Sequence, residues 1–149
     1  MNKQKSFTTE NIRIIIIDDD KSINEISNFL STNGYNVEGF TDLQQALEIM
    51  KIQEYDILIL DYFLEGTGAE NVISRVRKIG NKNNDIHIIL FTAFPEECPP
   101  LECFKRMDIQ GYIKKGTAKQ DILIEMEKAK KTIGALRRCR ERKEDISLG

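Results

Sequence analysis

Four consecutive isoleucines, Ile14 to Ile17, run straight into three aspartates, Asp18 to Asp20. β-Branched side chains at every position suit a strand buried on both faces, and such strands belong to parallel sheets covered by helices. The three carboxylates end that burial abruptly. The same design recurs along the chain. Asp56–Leu60 stops at Asp61, Ile86–Phe91 stops at Thr92, and Gly111–Ile113 leads to Lys115; Tyr35–Phe40 reads as one more short strand.

Helical spacings fill the intervals. Ile23, Ile26 and Leu30 precede Asn33-Gly34, a helix-closing pair because glycine tolerates the left-handed conformation. Leu43, Ala46, Leu47 and Met50 follow a Thr41/Gln44 capping box, and Val72, Ile73, Val76 and Ile79 are stopped by Gly80. Between Asp61 and that helix lies a loop containing Gly66 and Gly68. Pro99-Pro100 forbids a helix running through the segment 95–107. It predicts a short helix from about Pro100 with Leu101 and Phe104 facing inward. Thr117 with Gln120 forms another capping box, opening a long helix over about 118–142.

Strands alternating with helices predict an α/β fold, a doubly wound parallel sheet of five strands with five helices, the last one extended. At 149 residues the chain is expected to form one domain. The expected organisation is a polar N-terminal arm (1–10), a domain (11–130) and a basic C-terminal helical extension and tail (131–149). Ile122, Met126, Ala129, Ile133 and Leu136 form a seam too short for a confident coiled coil. From about Lys130 the helix is expected to project past the domain, with Arg137, Arg138, Arg140, Arg142 and Lys143 as a solvated face or a contact for an acidic partner.

Charge narrows the function. Residues 128–149 carry eight Lys/Arg against three Asp/Glu, whereas residues 1–127 carry fourteen against twenty-one. An acidic globular part argues against nucleic-acid binding. No apolar run reaches the roughly 18 residues of a membrane span, and the polar start reads as neither signal nor transit peptide, so a cytoplasmic protein is expected. Cys98, Cys103 and Cys139 have no CxxC spacing and are expected to be packing or incidental residues rather than disulfides or zinc ligands. The single histidine, His87, sits inside an apolar run.

In an open parallel sheet, chemistry gathers at the carboxyl ends of the strands. Asp18, Asp19, Asp20, Asp61, Thr92 and Lys115 are all placed there. Clustered carboxylates repel one another and need a cation to coexist. A hard divalent ion such as Mg2+ suits oxygen ligands of this kind, a lysine ammonium neutralises part of the charge, and a threonine hydroxyl can donate to a phosphoryl oxygen. Together they read as an acceptor site for phosphoryl transfer with a carboxylate nucleophile. Taken singly, each has a plainer reading: the aspartate triplet as a helix N-cap, Asp61 as the start of a turn, Lys115 as a solvated charge.

At these residues the chain resembles the receiver domain of bacterial two-component response regulators, the CheY-like family. The matching pieces are Ile14–Asp20 (IIIIDDD), Tyr55–Asp61 (YDILILD), Ile88–Ala93 (IILFTA) and Gly111–Lys115 (GYIKK), spaced as in the family over roughly residues 11–130. The resemblance implies a flavodoxin-like strand order of 2-1-3-4-5. It implies Asp61 as phosphoacceptor, attacking a phosphohistidine of a sensor histidine kinase or phosphotransfer protein. It implies Mg2+ held by Asp18, Asp19, Asp61 and the Phe63 backbone carbonyl, with Asp19 a direct ligand, Asp18 partly water-mediated and Asp20 a helix cap. Thr92 and Lys115 would contact the phosphoryl group, and Thr92 with Tyr112 would form the switch, against ordinary edge packing for Tyr112. A downstream protein target is implied, and phosphorylation-dependent homodimerisation is left open. Such a module is a signalling protein rather than a turnover enzyme. Two alternatives stand beside it. One is a pseudo-receiver that docks a partner without phosphorylation, and the other is a Mg2+-dependent phosphohydrolase, against which Phe63 stands where a second acid is common.

Three departures from the family pattern carry information. Gly116 follows the lysine where proline is usual, which leaves the cis or trans state of the Lys115–Gly116 bond open. Glu65-Gly66-Thr67-Gly68-Ala69 replaces the usual loop after the acceptor, and Pro99-Pro100 alters a helix that often supplies the output face. Phe63 and Phe94, each two residues beyond a site residue, flank the path of hydrolytic water in the family and are expected to slow loss of the phosphoryl group. His87, in a strand, cannot serve as an exposed phosphodonor, so a kinase must act in trans or a small donor such as acetyl phosphate must replace it.

Overall fold

The computed structural model describes residues 12–64 and 66–148. Its strands are β1 (Arg13–Ile17), β2 (Asn36–Phe40), β3 (Ile57–Asp61), β4 (Phe63–Leu64), β5 (Thr67–Gly68), β6 (His87–Thr92) and β7 (Gly111–Lys114). Its α-helices are α1 (Ser22–Thr32), α2 (Leu43–Met50), α3 (Ala69–Arg77), α4 (Pro100–Arg106) and α5 (Lys119–Leu148), with a 3-10 turn at Lys82–Asp85. The main sheet has the order β2-β1-β3-β6-β7 and every pairing in it is parallel. Counting main-sheet strands alone, this is 2-1-3-4-5, the doubly wound arrangement expected from the sequence.

Ile14 to Ile17 are completely buried because successive side chains point to opposite faces and both faces are covered. Ile15 and Ile17 join Leu58, Leu60, Ile88 and Leu90 on one face, under α2 and α3. Ile14 and Ile16 join Ile57, Ile59, Ile89 and Met126 on the other, under α1 and α5. Each fully buried isoleucine contributes about 2 kcal/mol by area removed from water. Asn83 secures the start of β3: its side chain donates to the Met50 and Gln53 carbonyls at 2.7 and 2.8 Å and accepts from Tyr55 N–H at 2.8 Å.

Several local expectations are corrected. The cap of α2 is Asp42, whose carboxylate accepts from Gln44 and Gln45 N–H, in place of Thr41. Asp20 does not cap α1 through its side chain. Its backbone carbonyl accepts from Ile23 N–H, and its carboxylate takes the Ser22 hydroxyl. The helix α3 ends at Arg77, short of Gly80. The loop after Asp61 contains the antiparallel ribbon β4–β5. The helix α4 begins at Pro100 as expected, but Leu101 is 67% exposed and Phe104 44%. A helix turns by about 100° per residue, so the inward face falls on Cys103 and turns Leu101 away, with Met107 buried just past the helix end. Cys98 and Cys103 are joined by a disulfide, contrary to the reading of the cysteines as packing or incidental residues rather than disulfides, and Cys139 is free and exposed. Every peptide bond among the described residues is trans, and Gly116 adopts φ +90°.

The last correction concerns α5. Ile122, Met126, Ala129 and Ile133 are buried against the sheet, so the helix stays on the domain past Lys130, while residues 135–146 are exposed. Arg137 bonds to Asp56 and Arg140 to Asp85, both at the amino ends of strands, so the extension lies along the base of the sheet. No helix among the described residues is long and apolar enough to cross a membrane.

Candidate functional site

Parallel strands end on the same side, so the polar residues that terminate each apolar run meet at one rim. Asp18 follows β1 and Asp61 ends β3, its immediate neighbour in the sheet. Asp18, Asp19 and Asp61 each offer a carboxylate oxygen, and these atoms all lie within 4.8 Å of one another. Asp18 is 1% exposed and Asp61 5%, whereas Asp19 is open to solvent. Lys115, just beyond β7, reaches back across the sheet end with Nζ 2.8 Å from Asp18 Oδ2 and 3.5 Å from Asp61 Oδ1. Its ammonium also lies 5.4 Å from the centroid of the Phe91 ring.

Thr92 ends β6, whose residue Phe91 pairs with Asp61. Thr92 is completely buried. Its hydroxyl oxygen accepts from Phe94 N–H at 3.0 Å, and its carbonyl accepts from Lys115 N–H at 2.6 Å. Asp18 Oδ1 accepts from Asp20 N–H at 3.0 Å, and Asp61 Oδ1 accepts from Phe63 N–H at 3.4 Å. The expected residues Asp18, Asp19, Asp61 and Lys115 therefore converge, with Thr92 on the adjacent strand end. Asp20 stands apart from the cluster, engaged with Ser22.

Burial, then the neighbouring Asp18 carboxylate, push the Asp61 carboxyl up to about 7, against the opposing pull of Lys115 and the Phe63 N–H. Burial lowers the Lys115 pKa, but the two aspartates outweigh it and the ammonium is held more firmly than usual. The Lys115 ammonium facing three carboxylates leaves net negative charge in a mostly buried cleft. A hard divalent cation with oxygen ligands fits that donor set.

Two contacts near the site have no counterpart in the sequence analysis. Phe63 and Phe94, expected there only as separate bulky rings, stand edge-to-face with centroids 5.6 Å apart, and Tyr62 adds a further edge contact to Phe63 at 4.7 Å. Phe63 and Phe94 remain about half exposed, so this aromatic group forms an open lip. Tyr112 donates its hydroxyl to the Cys98 carbonyl at 2.8 Å. Neither the Phe63–Phe94 nor the Tyr112–Cys98 contact has a local sequence signal, because the partners lie on segments remote in the chain.

The sequence profile of the response regulator receiver domain matches residues 14–127. The chain belongs to this receiver family. It is similar to the response regulator MprA of Mycolicibacterium vanbaalenii, 31% identical over 83 residues, covering 55% of this chain and 35% of that protein. MprA of Mycobacterium ulcerans is 34% identical over 83 residues, covering 55% of this chain and 34% of that protein. The chain thus matches about a third of the length of these relatives. The receiver fold recurs in the signal receiver domain of an HD domain-containing protein from Pseudomonas fluorescens, with TM-score 0.78, 20% identity and 93% and 98% of the two chains covered. It recurs also in the chemotaxis response regulator CheY4 of Vibrio cholerae, with TM-score 0.68, 21% identity and 79% and 98% covered. At these identities the structures speak for the fold alone.

Proposed function

We propose that this receiver accepts a phosphoryl group on Asp61, in a Mg2+-dependent reaction, from a sensor histidine kinase or phosphotransfer protein acting in trans. The observation that carries the reading is the convergence of three carboxylates and one ammonium at the rim formed by β1, β3 and β7.

An Asp61 carboxylate oxygen attacks phosphorus while the phosphorus–nitrogen bond of the donor phosphohistidine breaks. The electron pair leaves on the imidazole nitrogen, and an acyl phosphate remains on Asp61. Asp18, Asp19, Asp61 and the Phe63 backbone carbonyl would hold the divalent ion, which supplies neutralisation of the carboxylates and of the phosphoryl oxygens. Lys115 supplies a second positive charge. Before phosphorylation its ammonium is shared between Asp18 and Asp61. The new acyl phosphate adds negative charge at the same place and draws the ammonium towards itself. Thr92, whose hydroxyl oxygen accepts from Phe94 N–H, keeps its own proton to donate to a phosphoryl oxygen, and Tyr112 follows as the second part of the switch. The altered surface then meets a downstream protein target. Asp61 is consumed in the transfer, so the module signals by stoichiometric modification rather than by turnover.

Intact-mass analysis after incubation with acetyl phosphate and Mg2+ tests the reading. Wild type gains the mass of one phosphoryl group, and neither Asp61→Asn nor a metal-chelated wild-type sample does. Equal labelling of Asp61→Asn would overturn it.

A further inference from the structure

The segment that follows Thr92 is held in an unusual way. From Ala93 to Arg106 almost every side chain is exposed or half-buried, including Phe94, Leu101 and Phe104. The exceptions are Cys98 and Cys103, at 1% and 0% exposure, and they are bonded to each other. Cys98 lies in the loop before α4 and Cys103 lies within α4. The crosslink therefore closes a small ring that fixes the first turn of α4 to the loop descending from Thr92. The Cys98 carbonyl within that ring accepts the Tyr112 hydroxyl at 2.8 Å.

We infer that Cys98 and Cys103 form a redox-active pair that sets how readily the receiver adopts its phosphorylated conformation. The inference rests on the proposed roles of Asp61 and Tyr112. A thiolate of a cellular thiol or dithiol attacks one protein sulfur, breaking the S–S bond and forming a mixed disulfide. A second thiolate of the reductant then attacks its own sulfur in that mixed disulfide. The protein gains two electrons and two protons as two thiols, and the reductant is oxidised to its disulfide. Access requires local opening of α4, and a short helix with so few buried side chains belongs to the low-stability end of a structure.

The consequence follows from the hydrogen bond. In the oxidised form the ring holds the Cys98 carbonyl in place as an acceptor, which retains Tyr112 beside it. In the reduced form the loop and α4 separate more freely and that acceptor is no longer fixed. A switch that needs Tyr112 to leave Cys98 then operates at lower cost. Oxidation disfavours the activated state and reduction releases it.

The test uses the full chain. Samples equilibrated in glutathione redox buffers are acid-quenched, alkylated and weighed, with exposed Cys139 as the internal reference thiol. Two additional thiols appear together as the buffer becomes reducing. Apparent affinity for beryllofluoride with Mg2+ is then measured in both forms. The reduced form binds about fivefold more tightly, the scale set by one neutral hydrogen bond. Cys98→Ala/Cys103→Ala binds independently of the redox buffer, and Tyr112→Phe, which keeps the disulfide, loses most of the difference. Equal affinities of the oxidised and reduced wild type overturn this inference alone, as does a Cys98–Cys103 thiol count that ignores the buffer. Absence of beryllofluoride binding in every form overturns the receiver reading and this inference with it.

Discussion

The two rims of the sheet treat charge in opposite ways. At the amino ends of the strands, opposite charges meet. Arg137 bonds to Asp56, Arg140 to Asp85 at 3.0 Å, and Arg77 to Asp108 at 2.9 Å while also donating to the Ile86 carbonyl at 2.7 Å. At the carboxyl ends, three carboxylates face the Lys115 ammonium, and the buried Asp61 is poised between its protonated and ionised forms near neutral pH. Each of these pairs has at least one exposed member, which limits its contribution, and the two made by Arg137 and Arg140 seat α5 against the base. Like charges gathered in a half-dry cleft raise the free energy of the resting protein, and binding of a cation relieves it. One rim is thus structural, and the other gathers the acidic side chains on which the proposed function rests.

Substitutions can break this contrast, and the largest effect is expected at the reactive rim. Lys115→Ala removes the ammonium shared by Asp18 and Asp61, and the initial rate of phosphorylation by acetyl phosphate should fall by about 100-fold, equivalent to roughly 2.7 kcal/mol of barrier. A quantitative mass assay at matched Mg2+ measures it. Next comes the aromatic lip. Phe63→Ser/Phe94→Ser opens the approach to Asp61, and the acyl phosphate should decay about tenfold faster. Unchanged decay would show that the rings do not hinder water.

Titration sharpens the same contrast in terms of stability. The folded-state value of Asp61, about 7 against an ordinary 3.8, means that the folded protein holds this proton more tightly than the unfolded chain does. The group's contribution is therefore favourable at acid pH and is lost as pH rises through this window. In chelator at about pH 8.5, Asp61→Asn should exceed wild type in unfolding free energy by about 1–3 kcal/mol, with the gap closing near pH 4 and on addition of Mg2+. Urea titrations at several pH values read this directly. His87, at the start of β6 near the structural rim, behaves with the opposite sign. Burial, then the nearby Arg77, lower its pKa to about 4, so its contribution is present above 6.5 and lost as pH falls towards 4. Wild type should lose about 1–2 kcal/mol over that fall, and His87→Leu should flatten this part of the profile. The smallest effect is expected at the base. Arg137→Ala should cost at most about 1 kcal/mol, reduced further by salt, because the arginine is half exposed.

Sequence and structure divide the explanation unevenly. The strands and the rim were open to inference from Ile14–Ile17, Ile57–Leu60 and Ile88–Leu90 alone. Side-chain alternation and β-branching are local properties, and parallel strands must bring their following residues to one side. That is why the sequence alone brings Asp18, Asp61 and Lys115 together, as the structure does. Leu101 and Phe104 illustrate the limit. Their hydrophobicity suggested an inward face, but the phase of α4 is set by where Pro100 starts it and by the burial of Cys103 and Met107.

The amino-acid order by itself determined the α/β rhythm and the residues at the strand ends, because periodicity and strand-terminal polarity are encoded over a few neighbouring positions. Tertiary structure alone decided that α5 folds along the base, that Cys98 meets Cys103, that Tyr112 reaches the Cys98 carbonyl and that Asp61 resists ionisation. Those outcomes depend on distances between segments remote in the chain and on how much water each group loses when they meet, quantities that no local pattern carries.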